Sequence, residues 1–110
     1  MERKYRNLKL ERLINLAIKT GNLEDVKKQG VTLVDFYADW CGPCKQLAPT
    51  LEELSKEVDV LKINVDSHPK DAGSMGVMSI PTLVLFKDGK PVDTTVGNKS
   101  LDELKEFVSR

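Results

Sequence analysis

Val31-Thr32-Leu33-Val34-Asp35-Phe36-Tyr37-Ala38 is an apolar, β-branched run without alternation, and after Asp39 it leads directly into Trp40-Cys41-Gly42-Pro43-Cys44. A strand of that composition is covered on both faces, so the sheet it belongs to needs helices on each side. One cover follows at once: from about Cys44 through Glu57, Leu47, Leu51, Leu54 and Val58 keep helical spacing. Pro49 lies inside this helix, where it removes a backbone bond and is expected to bend it. Val60 to Val65 reads as the next strand, and strand, helix, strand in this order signals a parallel βαβ unit.

Two residues between the sulfurs let Cys41 and Cys44 meet in the first turn of that helix, closing a small disulfide ring that exchange can reopen. The first cysteine then lies where free backbone N–H groups and the positive end of the helix dipole favour a thiolate. Cys41 is therefore the expected nucleophile and Cys44 the expected resolving thiol. A static disulfide and a zinc half-site are the plain alternatives. Zinc takes three or four ligands, and the chain holds two cysteines and one histidine.

Asp35 is a carboxylate inside an otherwise apolar strand. Burial without an ion pair raises its pKa towards neutrality, which suits a group that takes the proton from Cys44 as that thiol attacks. A strand-end or purely structural aspartate is the alternative, although aspartate is depleted in strands.

The rest of the chain is punctuated clearly. Leu13 to Thr20 partly alternates and reads as an edge strand, although Leu10, Ile14, Ala17 and Ile18 also share a helical face, and Gly21-Asn22 is expected to open a short helix over 23–29 that ends at Gly30. Ser67 to about Ser74 is expected to be a short helical connection opened by Pro69. Asp88-Gly89 joins two antiparallel strands over 82–86 and 91–96. Ser100-Leu101-Asp102-Glu103 has the capping-box pattern, and Leu101, Leu104, Phe107 and Val108 share one face of a final helix. A length of 110 residues suits one domain, read as 12–110 after an N-terminal extension over 1–11.

Lys and Arg total 17, as do Asp and Glu. No net field draws the chain to nucleic acid or to an anionic membrane, so neither is an expected partner. The charged start, Met1-Glu2-Arg3-Lys4, lacks the apolar core of a secretory peptide, and no apolar run reaches membrane-spanning length. Two cysteines spaced for exchange fit a reducing compartment, so the cytoplasm is the expected location.

The stretch from Leu33 to Leu51, the segment Ser79-Ile80-Pro81-Thr82, and Val96-Gly97 before the final helix together resemble the thioredoxin family, in order and in spacing. The resemblance is strong from about Val31 to Arg110. It implies a thioredoxin fold: an α/β architecture with a central mixed sheet of four to five strands flanked by helices on both faces. It also implies a protein-disulfide reductase that works through a mixed disulfide and is itself re-reduced by an NADPH- or ferredoxin-linked thioredoxin reductase. Disulfide-containing proteins would be its targets, the Cys41–Cys44 pair its redox unit with no bound cofactor or metal, and a monomer its state. Gly42-Pro43 between the cysteines is the dipeptide of reducing members. By the same resemblance Asp35 matches the buried aspartate beneath the disulfide, Lys62 the lysine near it, and Pro81 a cis proline facing the cysteines. The backbone at Ile80 would be left free to pair with an extended substrate. Trp40, Gly76, Val77, Ile80 and Gly97 would form an apolar rim around Cys41.

Two positions depart from the family pattern. Tyr37 stands where many members have a second tryptophan, and Met78-Ser79 replaces a polar residue and glycine before Ile80-Pro81. Both touch the substrate rim. A thiol oxidase or isomerase, and a binding subunit with idle cysteines, are the competing readings. His68 reads as a loop residue.

Overall fold

The computed structural model describes residues 18–110. Five strands form one sheet in the order β1-β3-β2-β4-β5. They are β1 (Ile18–Thr20), β2 (Val31–Tyr37), β3 (Asp59–Asn64), β4 (Thr82–Lys87) and β5 (Lys90–Val96). β3 runs parallel to both β1 and β2, whereas β4 is antiparallel to β2 and β5. The sheet is therefore mixed, as expected. Three helices accompany it: α1 (Gly42–Leu54), α2 (Pro69–Ser74) and α3 (Leu101–Val108).

The central strand earns its composition from both sides. On one face Leu33 joins Val60, Leu83 and Leu85 in a cluster with Leu47, Leu51 and Leu54 of α1 and with Leu104 and Phe107 of α3. On the other, Val34 and Phe36 pack with Leu61, Ile63, Val84 and Phe86 beneath Ala72 of α2, with Leu23 and Val26 at the margin. Each fully buried leucine contributes about 1.5–3 kcal/mol. α1 starts at Gly42, two residues before the expected Cys44, because Cys41 is its N-cap and Pro43 occupies the first turn, where a missing N–H is harmless. The helix continues through Pro49.

The expected helix over 23–29 is a single 3-10 turn, Leu23–Asp25. Asn22 and Asp25 cap each other's backbone there, and Val26 returns to extended geometry. The Leu23 N–H donates to the Asp71 carboxylate at 2.9 Å, which ties the turn to α2. Lys27-Lys28-Gln29 offers no apolar stripe that would prolong a helix. Gly30 and Asp88 close the chain on each other through two hydrogen bonds, with Gly30 in the left-handed region at φ 84. Asp88 and Gly89 both have positive φ, 52 and 83, the geometry of a type I′ hairpin turn. The N-terminal extension and the start of the first expected strand lie outside the described residues.

Candidate active site

The site is assembled where β2 hands over to α1. Asp39 and Trp40 make the turn, Cys41 caps the helix, and the Cys44 N–H donates to the Cys41 sulfur at 3.2 Å. A sulfur at this place receives one of the helix's orphan donors directly and lies at the positive end of the helix dipole, so negative charge on Cys41 is stabilised. The two cysteines form a disulfide with their Cα atoms 5.3 Å apart. Exposure does not rank them, since Cys41 is 4% and Cys44 6% accessible. Hydrogen bonding does.

Both sulfurs pack with Ala38 against Tyr37, Val65 and Ile80. The Cys41 sulfur lies 3.8 Å from the Ile80 carbonyl oxygen. Ile80 precedes a cis peptide bond to Pro81 and stands outside the β4 ladder, which begins at Thr82. Pro81 is buried, and its carbonyl accepts from the Gly97 N–H at 2.8 Å. Gly97 has a positive φ of 95 at the end of β5 and so reaches the site through Pro81.

A groove of about 400 Å³ runs beside the disulfide, lined by Trp40, Val65, Val77, Met78, Ser79 and Ile80. Met78 is 95% exposed and Trp40 69%, so its walls are apolar and accessible. Trp40, Val77 and Ile80 were expected there. Gly76 stands apart from the lining: it ends α2 with a positive φ of 68, its N–H donating to Gly73, a backbone role. Gly42 and Pro43 form the exposed lip of α1, and open space surrounds Gly42. Sequence reasoning missed Asp66, which accepts from the Trp40 indole N–H at 2.9 Å. No local pattern marks a hydrogen bond between side chains 26 positions apart.

Asp35 is 1% exposed, and its Oδ1 has no hydrogen-bond partner among the described residues. It shares a face of β2 with Leu33 and Tyr37, which places the carboxyl beneath the first turns of α1. Burial pushes its pKa up to about 7, against the opposing pull of the Lys62 ammonium. Lys62 is its register partner on β3. The Lys62 Nζ, however, sits over the Tyr37 ring, 4.4 Å from the centroid, and forms no ion pair with Asp35. His68 caps α2 without a side-chain bond, in keeping with its expected loop role.

A strand-to-helix Cys-x-x-Cys, a cis proline facing it and a buried carboxylate beneath it make a dithiol-disulfide exchange site. The sequence profile of the Thioredoxin family matches residues 17–110. The chain belongs to the thioredoxin family. It is similar to the thioredoxin of Staphylococcus aureus, 51% identical over 99 residues that cover 86% of this chain and 95% of that one. The thioredoxin of Chlamydia trachomatis is 49% identical over 97 residues, covering 86% and 95%. Among solved structures, a mutant thioredoxin from Halobacterium salinarum NRC-1 matches with a TM-score of 0.78 at 42% identity, covering 84% of this chain and 88% of that one. The expected thioredoxin fold and disulfide-reductase function are thereby established. As a member of the thioredoxin family, the chain exchanges electrons with disulfide-containing proteins and a thioredoxin reductase. No helix among the described residues is long and apolar enough to cross a membrane.

Proposed function

We propose that Cys41 attacks and Cys44 resolves, with Asp35 as the proton acceptor for Cys44. The observation that carries this order is the Cys44 N–H directed at the Cys41 sulfur at the helix cap. In the reduced protein the Cys41 thiolate attacks one sulfur of a target disulfide, forming an S–S bond as the target's own bond breaks. The displaced target sulfur leaves as a thiolate and takes a proton from solvent. Cys44 then loses its proton to the Asp35 carboxylate and attacks the Cys41 sulfur, releasing the second target thiolate. Two electrons have moved to the target, and the Cys41–Cys44 disulfide remains. A reductase returns it to the dithiol with two electrons and two protons.

A carboxyl that titrates at about 7 suits this part, because at neutral pH both its acid and its base form are populated. Pro43, and not a histidine, precedes Cys44. No imidazolium then favours the thiolate over the disulfide, which fits a reductant better than an oxidase or isomerase. Ile80, free of the ladder and beside the Cys41 sulfur, offers main-chain groups to an extended target segment, with Trp40 and Val77 as apolar walls and Gly42-Pro43 as the lip. The cysteine pair is the whole redox unit, with no bound cofactor, and the protein works as a cytoplasmic monomer supplied by an NADPH- or ferredoxin-linked reductase.

The test is insulin reduction together with trapping. Cys41→Ser abolishes turnover, and Cys44→Ser accumulates mixed disulfides with the target. Alkylation of the reduced protein at mild pH labels Cys41 first. Labelling of Cys44 ahead of Cys41 would reverse the two roles.

A further inference from the structure

Asp35 and Lys62 are direct register partners on adjacent parallel strands, so both side chains leave the same face of the sheet and the two charges are within reach of each other. Here the pair is unmade. The Lys62 ammonium lies 4.4 Å from the centroid of the Tyr37 ring, and the Asp35 Oδ1 is buried with no partner among the described residues. Tyr37 stands two residues after Asp35 and so on the same face of β2, where its ring intercepts the lysine at the half-buried margin of the sheet.

We infer that Tyr37 is a positioning residue whose ring face withholds Lys62 from Asp35 and so keeps the buried carboxyl unpaired. This rests on the reading of Asp35 as the proton acceptor for Cys44.

The balance of effects favours the ring. The pull of the buried carboxylate on the ammonium is offset by the water that the ammonium would shed to reach Asp35, which is 1% exposed, so a modest competing attraction is enough to decide where it sits. Over the Tyr37 ring it keeps one side in water and is attracted by the aromatic quadrupole. Other charges do not complicate the face. The register partners of Asp35 are Lys62 on β3 and Leu83 on β4, and Lys62 is the one charge that acts on its titration. The direction of the Asp35 titration agrees, since desolvation prevails there over the Lys62 charge.

The experiment is a ¹³C NMR titration of the Asp35 carboxyl in the oxidised full-length protein, its resonance assigned by loss in Asp35→Asn. In Tyr37→Leu the ring is gone, the ammonium is left with the carboxylate, and the midpoint falls by roughly one unit or more. In Tyr37→Phe the ring remains and the midpoint stays at the wild-type value. The fall in Tyr37→Leu disappears when Lys62→Met is added, which separates release of the ammonium from entry of water. An unchanged or raised midpoint in Tyr37→Leu, an equal fall in Tyr37→Phe, or a fall that survives Lys62→Met overturns the inference. If Tyr37→Leu does not fold, Lys62→Met alone decides. A rise of less than about one unit supports a withheld lysine, and a larger rise shows that the ammonium is already the partner of Asp35. The titration needs no turnover. Midpoints that move as expected while the pH profile of mixed-disulfide release stays fixed would keep the role of Tyr37 and refute that of Asp35.

Discussion

Asp35 is a buried carboxyl that carries a desolvation cost. Its pKa rises from 3.8 to about 7 because burial disfavours the charged form. Between those values the unfolded chain has released a proton that the folded protein retains. Stability therefore falls as pH climbs through this window and levels off above the folded value, by roughly 3–5 kcal/mol in all. Asp35→Asn carries no such dependence. Urea unfolding of the oxidised protein is expected to show the variant's advantage over wild type growing from pH 4 to pH 8, and curves parallel across that range would mean that the carboxyl is solvated. The same substitution flattens the pH dependence of mixed-disulfide release. Asp66 acts at the surface. Asp66→Ala removes one exposed hydrogen bond, worth about 0.5–1.5 kcal/mol, and leaves Trp40, the only tryptophan of the chain, freer to turn. Fluorescence anisotropy of that single indole is expected to drop while the midpoint of unfolding shifts little. Asp35 was legible in the sequence because a carboxylate in an apolar strand violates a local pattern. Asp66 was not, since its partner lies across the fold.

At the scale of elements, packing outweighs capping. α1 inserts Leu47, Leu51 and Leu54 between the sheet and α3, and Leu51→Ala leaves a cavity costing about 2–5 kcal/mol. α3 begins with a reciprocal cap, Ser100 accepting from the Glu103 N–H at 3.2 Å and Glu103 accepting from the Ser100 N–H at 3.1 Å. Ser100→Ala costs about 0.5–2 kcal/mol. Denaturant midpoints in the reverse order would show that the cap of α3 outweighs the packing of Leu51. Both helices were readable as an apolar stripe at a period of 3.6, and the hairpin as Asp88-Gly89 between β-rich runs. The segment after Asn22 misled for a physical reason. A good cap starts a turn, but only an apolar stripe prolongs it, and Leu23 and Val26 satisfy the sheet within four residues.

For the whole molecule, the disulfide is a working part and not a staple. It spans a sequence separation of 3, so closing it removes little freedom from the unfolded chain, on the order of 2 kcal/mol. The two apolar layers on either side of β2 carry the fold. The reduced protein is accordingly expected to unfold cooperatively in urea with a loss of about that size, and collapse on reduction would contradict it. The order of the strands was less legible than the strands themselves. Alternation of helix and strand implied parallel pairing, yet only long-range register sets β1 beside β3 and places Ile80 just beyond the end of β4. A site whose unclaimed contacts at Ile80 are main-chain groups reads whether a segment can straighten, not which side chains it bears. Such a site ranks its clients by mechanics: a disulfide held in a rigid target waits for that target's own local opening, and its rate of reduction reports the opening instead of the strength of any contact made here.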